Sequence, residues 1–386
     1  MTHIPPDLIT PAGPAPHDAS ATPIFQSSSF LFDTYAQIEA VFAGRSDRFI
    51  YSRGDNPTVR ELEDLIARLE GAEAARGFSS GMAAICGAVL PFVQAGDRIV
   101  AVEHLYSDAF RLFETVLSRF GVETVYVDGS DTQAMVDALP GAKLVYLESP
   151  TSWTFRLQDL RAIATEARRL GVMSVIDNSW ATPLFQRPHD LGIDLVVHAA
   201  SKYLSGHSDT LGGLVTGRRQ MIRTIDHEAT HLFGGRMSPM DAFLVLRGMR
   251  TLDMRMARHM ETGLTLARGL AQHAQVVAVH HPGLLAARPE GLNGFGGLFA
   301  FDLAADVDVP RFCDALRHIR IGVSWGGPES LIVPGQAACG LAGAANVFQR
   351  FGVSPRTIRL AAGLESADLL MDDLCAALQA AQEAAA

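Results

Sequence analysis

Short apolar runs, separated by helix-patterned stretches through the middle of the chain, constrain the fold more than any other feature. They are Arg98 to Val102, Thr124 to Val127, Leu144 to Leu147, Val172 to Ile176, Asp194 to His198 and Gly213 to Thr216, with Ala74 to Phe78 upstream. Runs this short and this rich in Val, Ile and Leu read as strands buried on both faces. Their alternation with helical segments predicts an α/β fold, a mostly parallel sheet covered by helices. At 386 residues the chain outgrows a single core, and its 48% hydrophobic content can fill two.

The flanks differ in texture. Five prolines by Pro16, then Pro23 and Ser27-Ser28-Ser29, read as an extended arm. From Thr58 a capping box with Glu61 opens a helix whose stripe is Val59, Leu62, Leu65, Ile66 and Leu69, stopped by Gly71. Beyond Gly248 the pattern loosens into Val276 to His280, Gly297 to Leu303, a helix near Arg311 to His318 and a closing helix from Ser366. The expected division is an arm over 1–56, a larger domain over 57–248 and a smaller α+β domain over 249–386. A net charge of −10 disfavours a nucleic-acid partner. Cys86, Cys313, Cys339 and Cys375 lack C-x-x-C spacing and fit free thiols in a reducing cytosol. With no signal-like or bilayer-length apolar segment, a cytoplasmic protein without a membrane partner is expected.

Three segments carry chemistry. Lys202, in Ser201-Lys-Tyr-Leu-Ser-Gly-His-Ser-Asp209, follows a strand and precedes a glycine turn. A lysine held there, partly desolvated, can work as nucleophile and base, as in Schiff-base formation with pyridoxal phosphate (PLP). Asp177 ends an apolar strand, where open α/β sheets place ligand contacts, and a carboxylate on the pyridine nitrogen would keep PLP an electron sink. Gly77 to Ala84 is a Ser/Gly turn that opens a helix, and its free N–H groups suit a phosphate. Singly, the lysine reads better as a solvated surface charge and the loop as an ordinary N-cap, while Asp177 reads equally well as a turn or cap residue.

Their order along the chain resembles the Cys/Met-metabolism PLP enzymes, the trans-sulfuration family. The motifs are Tyr51-Ser-Arg53-Gly-Asp-Asn-Pro-Thr58, Ser79-Ser-Gly81-Met82, Glu148-Ser-Pro150, Asp177-Asn178, Ser201-Lys202-Tyr203, Leu246-Arg-Gly248, Ser324-Trp325-Gly-Gly327 and Ile358-Arg359-Leu360. The resemblance implies PLP-dependent transferase fold type I, aspartate aminotransferase-like, and PLP as cofactor. It implies catalytic roles for Lys202 and Tyr106, with Tyr106 stacked on the cofactor ring. Gly81, Met82, Asp177 and Ser201 would hold the cofactor. Tyr51 and Arg53 would reach the phosphate of a neighbouring subunit, in a homotetramer built from two active dimers. Ser324, Trp325 and Arg359 would meet the substrate, with Arg359 on its α-carboxylate.

Within the family, Ser324-Trp325-Gly-Gly, Glu148-Ser-Pro-Thr-Ser-Trp153 and Ala199 resemble the cystathionine β-lyase branch. Asp108 stands where methionine γ-lyases typically have cysteine. The implied reaction is β-elimination from cystathionine to homocysteine, pyruvate and ammonia, a step of methionine biosynthesis. Cystathionine γ-synthase, cystathionine γ-lyase and methionine γ-lyase are the alternatives. His227-Glu228-Ala-Thr-His231 also fits the zinc-hydrolase pattern H-E-x-x-H, but Met237 stands where the longer pattern wants a third ligand, and no metal is expected.

Overall fold

The computed structural model describes residues 19–342 and 345–382, so the arm's proline-dense beginning, through Pro16, lies outside the described residues. The anticipated strands form as β1 (Ala74–Phe78), β2 (Arg98–Val102), β3 (Glu123–Val127), β4 (Leu144–Glu148), β5 (Met173–Asp177), β6 (Leu195–Ala199) and β7 (Gly213–Gly217). They join one sheet in the order β1-β7-β6-β5-β4-β2-β3. Strands β2 to β6 run parallel, and β7 enters antiparallel between β6 and β1. Val145, Leu147, Val196 and Val197 are wholly buried, as covering both faces requires. The carboxyl ends of the parallel strands share one edge, where Glu148 pairs in register with Asp177 and Asp177 with Val197. That edge is where open α/β sheets bind ligands.

A second sheet contains β8 (Val276–His280), β9 (Leu298–Leu303), β10 (Arg320–Ile321), β11 (Leu331–Pro334) and β12 (Thr357–Ala361), ordered β10-β11-β12-β9-β8. Phe299, Phe301, Ile358 and Leu360 form its core face with Phe312, Leu370, Leu374 and Leu378 from the Val309–Ala315 and Ala367–Gln382 helices. Strand alternation therefore puts Arg359 on the opposite face. The Leu252–Leu270 helix joins the two bodies. Leu252 and Met256 pack with Tyr203 and Leu246, while Leu266 and Leu270 enter the second core.

Two sequence expectations are corrected. The helix near residue 311 spans Val309–Ala315 and stops short of His318, because the N–H groups of Arg317, His318 and Ile319 donate to the Asp373 carboxylate, each at 2.9 Å. The helix expected from Thr58 runs Pro57–Glu70, with Asn56 as its cap, accepting from Thr58 N–H at 3.0 Å. Pro57 suits the first turn, where its missing N–H costs nothing. Thr58 and Glu61 form no capping box. Thr58 Oγ1 donates to Pro23 O at 2.9 Å and accepts from Phe25 N–H at 3.0 Å, and Glu61 accepts from Thr22 Oγ1 at 2.6 Å. The pair pins the arm to the helix.

Candidate active site

Lys202 sits in a turn just beyond β6, its N–H donating to Ala199 O at 3.1 Å and its carbonyl accepting from Gly206 N–H at 2.8 Å. Gly206 has φ +70°, and a side chain there would collide with the Arg255 guanidinium. Arg255 donates to Tyr203 O at 2.7 Å and Gly248 O at 2.6 Å, while Tyr203 Oη accepts from Gly297 N–H at 2.7 Å. With the backbone held on both sides, Lys202 Nζ donates to Ser324 Oγ at 2.6 Å and lies 5.4 Å from the centre of the Trp325 ring. Burial first, and the positive charge of Arg359 second, bring this amine down to about 8. Ser324 has φ +87°, a region costly for any residue but glycine.

Arg359 stacks over the Trp153 ring, 5.0 Å from its centre, and no described residue accepts a hydrogen bond from it. Burial lowers its pKa to about 10, against the pull of Tyr106 and Glu148. A poorly solvated guanidinium with five donors and no acceptor can take a carboxylate in a bidentate pair.

Asp177 accepts from Ser179 twice on Oδ1, from N–H at 2.9 Å and from Oγ at 2.5 Å, and Ser179 Oγ in turn accepts from Ala199 N–H at 2.7 Å. Burial pushes the Asp177 carboxyl up, while Ser179, His198 and Lys202 pull it down. Beside it, burial and the Asp177 charge push Glu148 up. Glu148 accepts from Tyr106 N–H at 2.7 Å and Ser152 Oγ at 2.5 Å. Tyr106 lies at the start of a short helix, and its hydroxyl donates to Asp108 at 2.9 Å.

Ser80 caps the Gly81–Val89 helix by accepting from Ala83 N–H at 3.1 Å. That leaves the N–H groups of Gly81 and Met82 without intrahelical acceptors at the positive end of the dipole. A Cβ on Gly81 would lie 2.9 Å from that of Ala199, so the turn needs glycine to approach β6 this closely. Amine, carboxylate, aromatic ring and open helix N-terminus together fit PLP by donor chemistry. Ser201 Oγ, expected at the phosphate, accepts from Gly212 N–H at 3.0 Å. Tyr51 and Arg53 make no described contact with Lys202 or Asp177. Tyr51 is 49% exposed, and Arg53 donates to His231 O at 2.6 Å.

His227 and His231 lie in a π-helical turn, Asp226–Phe233, where His231 Nδ1 bonds Asp226 O at 2.9 Å. Among the described residues no three His, Cys, Asp or Glu side chains gather as metal ligands. Ser179, Glu148 and Trp153 join the site only in the structure. The Asp-x-Ser spacing offered a turn signal for Ser179. Nothing local tied Trp153 to an arginine in a distant strand.

The sequence profile of the Cys/Met metabolism PLP-dependent enzymes matches residues 10–379. The chain is 36% identical to an L-methionine gamma-lyase of Pseudomonas putida, covering 94% of this chain and 93% of that one. It is 33% identical to a cystathionine beta-lyase of Bacillus subtilis, covering 94% and 92%. A solved cystathionine gamma synthase of Xanthomonas oryzae pv. oryzae superposes with a TM-score of 0.89 at 35% identity, covering 98% of each chain. With that agreement in sequence and fold, the chain belongs to the Cys/Met metabolism PLP-dependent enzymes.

Proposed function

We propose that this enzyme is a C–S lyase that cleaves cystathionine by β-elimination, releasing homocysteine, pyruvate and ammonia. The observation that carries the reading is that Lys202 Nζ, bonded to Ser324 Oγ and facing Trp325, lies within electrostatic reach of the Arg359 guanidinium, from which no described residue accepts a hydrogen bond. An α-amino acid offers one partner to each. In this reading Arg359 grips the α-carboxylate and orients the Cα–H bond, and Lys202 removes that proton as general base. PLP, when bound, supplies the sink for the electron pair left at Cα. Asp177 would hold the proton on the ring nitrogen, and Tyr106 would supply the aromatic face against the ring. Gly81 and Met82 N–H, Ser201, and Tyr51 and Arg53 of a neighbouring subunit would hold the phosphate.

Lys202 needs to take only the Cα proton for β-elimination, whereas a γ-elimination must also move a proton at Cβ. Trp325 beside Lys202 and Trp153 under Arg359 support the β-lyase branch that these sequence positions resemble. The L-methionine gamma-lyases at 36% and 38% identity favour γ-elimination as a second reading. Incubating the purified enzyme with cystathionine decides: homocysteine with pyruvate is expected, and cysteine with 2-oxobutyrate would reverse the assignment. A homotetramer, a cytoplasmic location and the division at 56 and 248 belong to the same proposal. Among the described residues no helix is long and apolar enough to cross a membrane.

A further inference from the structure

Glu70 is the last residue of the Pro57–Glu70 helix, and its side chain, like that of His198 in β6, is wholly shielded from solvent. A carboxylate there meets the negative end of the helix dipole and gives up its hydration, two costs that an apolar residue would avoid. What Glu70 gains is two donors on one oxygen. His198 Nε2 donates to Oε1 at 2.6 Å and Asn178 Nδ2 at 3.0 Å, while Glu70 Oε2 and His198 Nδ1 have no described partner. Both donors adjoin the candidate site. Asn178 follows Asp177, and its N–H donates to Val197 O at 2.9 Å. His198 precedes Ala199, whose N–H donates to the same Ser179 hydroxyl that donates to Asp177 Oδ1. Gln186 extends the tie, donating to Asn178 Oδ1 at 3.0 Å and Ser149 O at 3.2 Å and accepting from Asn178 Nδ2 at 2.9 Å. The contacts close a ring: Glu70, His198, Ala199, Ser179, Asp177, Asn178 and back to Glu70. Glu70 is the one member contributed from outside β5, β6 and the turn after β5.

We propose that Glu70 is a positioning residue for Asp177, clamping the carboxyl ends of β5 and β6 together so that the Asp177 carboxylate meets the cofactor ring in fixed geometry. The inference rests on the reading of Asp177 as the partner of the ring nitrogen. It is tested on apoprotein titrated with PLP, reading the dissociation constant from cofactor absorbance and, separately, the thermal midpoint of the apoprotein. Glu70→Ala and Asn178→Ala each cut the clamp, and each should weaken PLP binding about tenfold, the equivalent of one hydrogen bond. Glu70→Gln keeps an acceptor oxygen and should stay within about twofold of the parent chain. PLP affinities of Glu70→Ala and Asn178→Ala equal to that of the parent, whatever their thermal midpoints, overturn the proposal, as does a Glu70→Gln loss as large as that of Glu70→Ala. If Glu70→Ala does not fold, Asn178→Ala decides by the same criterion. Asp177→Asn separates the two layers. Unchanged affinity there removes the reading of Asp177 and the proposal with it, whereas weakened binding with both clamp variants unaffected removes the clamp alone.

Discussion

Lys202 owes its lowered pKa to two causes of different reach, loss of water around the amine and the nearby charge of Arg359. The first stays with the fold, and the second can be removed. Below pH 8 the amine is mostly protonated and cannot attack a carbonyl, so its reactivity in the apoprotein should rise about tenfold per pH unit and level off above 8. Arg359→Gln removes the cation that disfavours protonation and should move the midpoint upward. Competitive acylation of the apoprotein, mapped by mass spectrometry at graded pH, measures both midpoints. A Lys202 midpoint above 10, or one unmoved by Arg359→Gln, would contradict the assignment. Trp153 belongs to the same scale. Its ring faces Arg359 at 5.0 Å and meets Phe348 edge-on at 4.9 Å, so the guanidinium rests on a braced surface.

At the scale of elements, the contact that matters most is between the start of β7 and the turn opening the Gly81–Val89 helix. A Cβ on Gly213 would overlap the carbonyl oxygen of Ser80 and press on Ala84. The obstacle is backbone, which no rotamer change relieves. Gly213→Ala should therefore cost on the order of 1–3 kcal/mol of stability, as overpacking does. Because the displaced segment carries the N–H groups proposed for the phosphate, PLP affinity should fall with it. Denaturant midpoints and PLP titration of the same preparation test the pair, and a stable variant with unchanged affinity would take the phosphate away from this turn. The helix placement had been legible from the Ser/Gly turn before Met82. The closeness of β7 was not, since residues 80 and 213 have no sequence relation until the sheet order sets them side by side.

At the scale of the whole molecule, the described chain leaves Leu31, Tyr35 and Phe42 of the arm 88%, 79% and 75% exposed, with Tyr51 49% exposed and Arg53 bonded to His231 O. An arm that presents apolar side chains and an arginine outward suits docking on a second copy. Arg53→Ala and Lys202→Ala should each abolish most activity alone. Denatured, mixed and refolded together, they should recover about a quarter of it, since random pairing in a two-fold dimer makes half the dimers mixed, each with one intact site of two. No recovery would place Tyr51 and Arg53 outside the neighbour's site. The sequence by itself determined the α/β class, the strands of the larger sheet to within a residue or two and the motif order, because buried strand runs, glycine turns and a carboxylate at a strand's end are local signals written in adjacent residues, whereas the short β10 and β11 of the second sheet carry no such signal. It could not show that Thr58 holds the arm instead of capping its helix, that Trp153 underlies Arg359, or that Glu70 reaches His198 128 positions away. Those depend on which surfaces packing brings together, and only the tertiary structure, by burying polar groups that must then find partners, decided them.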